Sequence, residues 1–236
     1  MKIINRLKIV RKLLIFMAVS TLYIASIGVF CVSSTCAVAV ETNMADNCKN
    51  RQAQTESVNN IHDKKLIQVE HKAWVSYDKE KLYIACECKE SFSEIKITGL
   101  KHDGAVWAGD SVEIMISLPD AINGSPFYHF AINPRNVKWD SIDQGPRKPL
   151  NSKYSPKWES GAHIEKNIFW TVEMAIPWKE IGVRNPEKEL IIQANICRAR
   201  SMFAEKGLSK GTEYSSWSLM FSSFQEHDLF GKWILD

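Results

Sequence analysis

The chain has 236 residues, 45% of them hydrophobic and 24% charged, enough for one well-filled core. Its 30 Lys+Arg against 27 Asp+Glu leave a formal charge of +3 with histidine neutral, and no basic run or stripe interrupts the mixture after the first residues. That balance removes nucleic acid from the expected partners.

Residues 1–39 differ in kind from the rest. Lys2, Arg6, Lys8, Arg11 and Lys12 precede a nearly unbroken apolar run from Leu13 to Cys31, and no acid occurs before Glu41. Ala37-Val38-Ala39 then places small residues where a signal peptidase reads, so residues 1–39 read as a secretory signal, set apart from the fold. The apolar run approaches the ~18 residues that span a bilayer, so an uncleaved anchor is the alternative, and the one route by which a membrane becomes a partner. Both readings keep the basic end inside and export the remainder, to a secreted or periplasmic location. The segment carries five of the basic residues and none of the acids, so the remaining chain has a balance of −2.

Residues 40–65 are rich in Asn, Gln, Lys and Asp and poor in large apolar side chains, which predicts a flexible tether. From Leu66 to the end, residues 66–236, apolar alternation of period two predicts strands. Trp74–Tyr77 leads through an Asp-Lys-Glu turn into Lys81–Lys89, with Leu82, Ile84, Cys86 and Cys88 on one face. Glu94–Leu100 is expected as a short strand. Ser111–Leu118 follows, alternating Val112, Ile114 and Ile116 against Glu113, Met115 and Ser117. Phe127–Asn133 is the next strand, and 134–157 is expected as a long loop with a short strand near Val137–Ser141. Trp158–Glu165, Ile168–Ile176 and Leu190–Arg200 complete the strong strands. Pro177–Ile181 suggests a helical turn, since proline suits a first helical position. Met202–Tyr214 is expected as a Gly- and Lys-rich loop, and Ser215–Leu219 and Gly231–Leu235 close the set. Many short strands separated by turn residues define an all-β sandwich or barrel.

Four cysteines follow the signal segment: Cys48, Cys86, Cys88 and Cys197. Export permits disulfides, and a bridge from Cys197 to Cys86 or Cys88 is expected; the alternative is small buried thiols with no bridge. No nucleophile elbow, zincin motif or phosphate loop is present. The carboxylate pairs Asp110/Glu113 and Glu226/Asp228 sit in turns or on an outward strand face, where acids are ordinarily solvated, so no enzyme activity is expected. His129 on a strand reads as a hydrogen-bonded face residue. Of the eight tryptophans, Trp170 alternates with Val172 and Met174 and belongs to the core, with Trp158, Trp178 and Trp233 as further core candidates. Trp107 differs, because it precedes an Ala-Gly-Asp turn at the mouth of a strand that carries Glu113. A flat ring beside a carboxylate can take the C–H face of a sugar and its hydroxyls together. The competing reading makes Trp107 a cap on the end of the core.

Seven segments in order carry a resemblance: YDKEKLYIACECKE (77–90), VWAGDSVEIMIS (106–117), FYHFAINP (127–134), FWTVEMAIPWKEIG (169–182), ANICRAR (194–200), YSSWSL (214–219) and HDLFGKWIL (227–235). Together they resemble the family 9 carbohydrate-binding modules and their wider DOMON-like relatives. The resemblance implies an antiparallel β-sandwich, immunoglobulin- or jelly-roll-like, that binds mono-, oligo- or polysaccharide and is associated with glycan breakdown. It implies Trp107 and Phe224 as the two walls of an aromatic slot and Glu113 and Asn133 as hydroxyl-binding residues. The position two before Asn133, where the family can carry a sugar-contacting Arg, is Ala131, and Cys197 stands where a Gln is usual, followed by Arg198 as a binding candidate. The family's structural calcium is implied, with Asp78, Asp140, Asp143 and Asp228 as turn aspartates and no contiguous calcium-loop spacing. Relatives that hold a b-type haem imply an alternative electron-transfer role through Met115 or Met174 with His129. A sandwich without any ligand is the third reading.

Overall fold

The alternation becomes two facing antiparallel sheets. The computed structural model describes residues 42–43, 71–90, 95–121, 126–145, 148, 150–151, 153–203 and 209–235. The expected signal segment, Cys48 and all but two residues of the expected tether lie outside them. One sheet contains β1 (Thr42–Asn43), β2 (His71–Tyr77), β3 (Lys81–Lys89), β7 (Glu159–Glu165) and β8 (Phe169–Pro177), in the order β1-β2-β3-β8-β7. The other contains β4 (Ser111–Ser117), β5 (Phe127–Ile132), β6 (Lys138–Asp143), β9 (Ile191–Phe203), β10 (Ser209–Ser216) and β11 (Gly231–Ile234). Its order is β10-β9-β4-β5-β6, and β11 pairs with the beginning of β9. The described residues contain no α-helix, only short 3-10 turns such as Val106–Ala108 and Trp178–Ile181.

Period two decides what each sheet buries. Leu82, Ile84, Cys86 and Cys88 of β3 and Trp170, Val172, Met174 and Ile176 of β8 face Val112, Ile114 and Ile116 of β4 across the interior. Each such aliphatic side chain contributes about 1.5–3 kcal/mol when fully buried. Trp158, Trp178 and Trp233 join the same core. Asp78 closes the β2–β3 turn, its Oδ1 accepting from the backbone N–H groups of Glu80 and Lys81 at 2.8 Å each. The outer strand β7 carries exposed Glu159, His163 and Glu165, charges that discourage pairing with another chain.

Four expectations change. Ile95–Leu100 is not a strand, because local partners take its polar groups: Lys96 N donates to Asp110 Oδ2 and Lys96 O accepts from Asp110 N, both at 2.8 Å. The expected loop at 202–214 is largely a hairpin arm, with β9 running to Phe203 and β10 starting at Ser209. The interior face of β10 carries Glu213 and Ser215, both buried, opposite Arg200 and Arg198 of β9, so no apolar alternation betrays the strand. Thr42–Asn43, inside the expected tether, pairs with Lys72 and Ala73. Such edge pairing uses backbone groups and requires no apolar side chains.

The fourth change is the disulfide. Cys86, Cys88 and Cys197 are free thiols. Cys86 and Cys88 point into the inter-sheet core, whereas Cys197 points the other way, into a separate cluster with Met115, Phe127, Met220 and Phe230. Strand parity on β9 therefore puts its own sheet between the thiols.

Candidate functional site

The second face of the β4 sheet forms the floor of a cleft. In register, Glu113 on β4 stands opposite Ala131 of β5 and Cys197 of β9, while His129 on β5 stands opposite Met115 of β4 and Ser141 of β6. These residues share one face, and the chain from Trp217 to Phe230 folds across part of it. That segment is pinned by Asn195, whose Nδ2 donates to Ser218 O (3.1 Å) while its Oδ1 accepts from Ser218 N (2.8 Å). Met220 and Phe230 supply its apolar underside against Met115 and Phe127. Gly231 follows because the Trp217 ring lies where a Cβ would stand, 2.2 Å from the nearest ring carbon.

The open part is a cleft of about 410 Å³ lined by Trp107, Glu113, His129, Trp139, Leu150, Tyr214, Ser222, Ser223, Phe224 and Gln225. Trp107, Glu113 and Phe224 are thus brought together as the sequence suggested. Trp107 rides on the 3-10 turn Val106–Ala108. Gly109 lets segment 95–98 pass under that turn, since a Cβ there would meet Lys96 O at 2.5 Å. Asp110 ties the segment down through its two bonds to Lys96. The ring of Trp107 is 44% exposed and meets Trp139 edge-on, centroids 4.9 Å apart. It does not cap the inter-sheet core. Phe224, half-buried, packs edge-on against Tyr214 at 5.5 Å.

The floor is a buried charge relay. His129 lies between two carboxylates, Nε2 at 2.9 Å from Glu113 Oε2 and Nδ1 at 2.9 Å from Asp143 Oδ2. Burial pushes the imidazole pKa down, but the bonds to Asp143 and Glu113 and their charges outweigh it and raise it to about 9. The ring is therefore an imidazolium donating both N–H groups. Burial alone would raise Asp143, yet His129, Ser141 and Gln225 hold it below the ordinary aspartate value. Gln225 Nε2 donates to Asp143 Oδ2 at 2.9 Å, joining the covering segment to the floor. Ser111 Oγ lies 3.2 Å from Glu113 Oε1. Neither Asp110 nor Glu113 is the solvated acid their spacing suggested. Asp110 is buried and its pKa rises to about 6, burial being the main cause.

Two expected residues are elsewhere. Asn133 is fully buried in the β5–β6 turn, with Nδ2 donating to Thr98 O (2.7 Å) and Oδ1 accepting from Arg135 N and Val137 N (3.0 Å each). Its amide is committed to the backbone. Arg198 occupies the opposite face of β9 from Cys197, donating to Lys89 O and Glu90 Oε2 at 3.1 Å each, with its guanidinium 5.7 Å from the Trp170 ring centroid. It ties the sheets together and does not reach the cleft. The structure adds His129, Trp139, Tyr214 and Gln225. Trp139 stands directly across from Ala131, so an indole occupies ground next to the missing arginine position.

The haem alternative is not supported by this geometry. Met174 lies in the inter-sheet core, and His129 has both ring nitrogens engaged by carboxylates, leaving no lone pair for iron. The turn aspartates do not gather around a calcium ion either. Asp78 is used by its own turn and by Tyr83, Asp143 by His129, and Asp228 lies beside His227. Asp140 alone joins other donors, His102 and Asp103. Among the described residues no helix is long and apolar enough to cross a membrane.

The fold is an antiparallel β-sandwich of two facing sheets. No family model matches the sequence, and no curated protein matches it. Solved structures do match. A protein from Bacteroides uniformis ATCC 8492 assigned a carbohydrate-binding role is similar at TM-score 0.57 and 15% identity, over 76% of this chain and 84% of the other. A family 9 carbohydrate-binding module from Caldicellulosiruptor kristjanssonii, in complex with cellotriose, is similar at TM-score 0.50 and 18% identity, over 72% and 77%.

Proposed function

We propose that this protein is an exported carbohydrate-binding protein without catalytic activity of its own, acting alongside glycan breakdown. The observation that carries the reading is a half-exposed Trp107 on the rim of a cleft whose floor is polar. A sugar ring stacks its C–H face on Trp107, and Phe224 with Tyr214 closes the slot. Glu113 accepts from sugar hydroxyls, and Gln225, Ser222 and Ser223 offer further polar partners. Asn133 and Arg198 have no part in binding.

Binding is favoured over hydrolysis by the state of the carboxylates. A glycosidase keeps one carboxyl protonated as the acid. Here Asp143 is held below its ordinary value and shares one imidazolium with Glu113. Export is favoured by the signal pattern of residues 1–39, with 66–236 as the binding domain and Thr42–Asn43 as an added edge strand.

A glycan array followed by calorimetry on the best hit tests the reading. Binding that disappears in Trp107→Ala while the melting temperature is kept supports it. Failure to bind any neutral, acidic or amino sugar would leave the sandwich as an interaction domain.

A further inference from the structure

His102, Asp103 and Asp140 converge where the 99–105 loop meets β6, outside the cleft. His102 Nδ1 lies 2.9 Å from Asp103 Oδ2, and Nε2 lies 3.6 Å from Asp140 Oδ1. One donor atom from each residue falls within 4.8 Å of the other two. The loop is fixed to the strand by Asp103 N donating to Lys138 O at 3.0 Å, so the donors are positioned by backbone pairing. Asp140 is the telling member. It is 3% exposed, and its carboxylate is satisfied on one side only: Oδ1 accepts from Trp158 Nε1 at 2.8 Å, while Oδ2 has no hydrogen-bond partner. Among the described residues the ammonium beside it, Lys138, is turned to Trp158, donating to its carbonyl at 2.8 Å and lying 4.6 Å from its ring centroid. A buried carboxylate with a single donor carries charge that is costly unless a cation offsets it, and its Oδ1 faces His102 Nε2. Burial also pushes the Asp140 pKa upward, the mark of a carboxylate short of positive charge.

We propose that His102 Nε2 and Asp140, with Asp103 holding the imidazole through its Nδ1, form a binding site for a divalent transition-metal ion of the zinc class. The donor set separates this from the calcium implied by the resemblance. Calcium takes about 6–8 oxygens, whereas an imidazole nitrogen and a carboxylate suit zinc, with water completing a four-coordinate shell. His102 and Asp103 are exposed enough to admit the ion, and Asp140 anchors it at the protein surface. The ion ties the loop leading to Trp107 onto β6, the strand that carries Trp139.

The test is metal uptake by the purified protein, measured by equilibrium dialysis with Zn2+ and by the visible absorption of bound Co2+, with Ca2+ in a parallel arm. One equivalent of Zn2+ and a Co2+ band with nitrogen ligation are expected. His102→Ala, at an exposed position that the fold does not need, should lose both. Asp103→Asn should weaken uptake roughly tenfold or more, since even outer-shell partners cost that much. Asp228→Asn, exposed and paired with His227 rather than with the cluster, should leave uptake unchanged. Undiminished Zn2+ uptake by His102→Ala, absence of uptake by the wild type, or Ca2+ uptake that Zn2+ does not displace would each overturn the site. None of these readouts depends on sugar, so they stand or fall apart from the cleft.

Discussion

The two faces of β4 are equally shielded from water and opposite in chemistry. Val112, Ile114 and Ile116 enter an apolar interior covered by the other sheet, while Glu113 and Met115 face segment 217–230 and the neighbours of the cleft. On the first face the partner is a sheet, so packing alone decides the energy. On the second the cover is a loop pinned by Asn195 and Gln225, leaving room for a charge relay and an opening beside it. Burial therefore does not tell core from site in this molecule; the nature of the covering element does.

The sharpest way to break that contrast is to damage each face at its centre. Trp170→Ala removes a fully buried indole from the interior and should cost ~3–5 kcal/mol in chemical denaturation. His129→Gln should cost a similar ~3–5 kcal/mol for a different reason, leaving Glu113 and Asp143 buried without their cation. The two differ in rescue. Adding Asp143→Asn and Glu113→Gln to His129→Gln should recover much of the loss, and no such rescue exists for Trp170→Ala. Failure of the triple variant to recover would make the outward face an ordinary core.

The relay also predicts a pH dependence near neutrality, below the range in which the buried thiols of the inward face, Cys86 and Cys88, titrate. The folded pKa of His129, about 9, lies above its ordinary 6.5. Its contribution to stability is therefore fully present below about pH 6.5 and is lost as pH rises through about 9. Asp143, lowered in the fold, contributes above its ordinary 3.8 and loses that contribution as pH falls through its folded value. Asp110 has the opposite sign: raised to about 6, it weakens the fold as pH rises from 3.8 through that value. Unfolding free energy should decline more steeply between about pH 7 and 9 in the wild type than in His129→Gln; above about pH 9 the thiols of Cys86, Cys88 and Cys197, pushed up by burial, add a further decline to both proteins. Equal slopes for both proteins would show that the imidazolium is not formed.

The inward face was legible in the sequence and the outward face only in part. Period-two alternation on β3, β4 and β8 names the core correctly because apolar side chains there have one destination. Trp107, Glu113 and Phe224 come together in the cleft where the resemblance placed them. Arg198 fails by parity: β9 alternates, so a residue beside Cys197 cannot share its face. Asn133 fails because a turn asparagine can spend its whole amide on backbone groups, and spacing does not reveal that. His129 was recognised as a hydrogen-bonded residue, but its two carboxylates come from β4 and β6, a juxtaposition visible only after the strands pair. Trp139 and Gln225 were missed for the same reason, one in a short strand and the other in a segment without periodicity.

The smallest expected change in stability, and the most informative, concerns the rim. Trp107→Ala removes a ring that is nearly half exposed and rests edge-on against Trp139, outside the inter-sheet core. Its loss should cost clearly less than the ~3–5 kcal/mol expected at Trp170, being one aromatic pair of about 0.5–1.5 kcal/mol plus the burial of only part of the ring. If the ring stacks on sugar, the same change removes ~1–3 kcal/mol of binding, several-fold to over a hundredfold in affinity. Phe224→Ala should follow the same pattern with a smaller binding loss, because a single six-membered ring offers less area and part of it is spent on Tyr214. The measurement is melting temperature against sugar affinity for the two variants, with Trp170→Ala as reference. A Trp107 variant that melts as early as the Trp170 variant would assign that ring to the core after all. Two rim variants that melt near the wild type and lose affinity in the order Trp107 then Phe224 would place recognition on the loop-covered face.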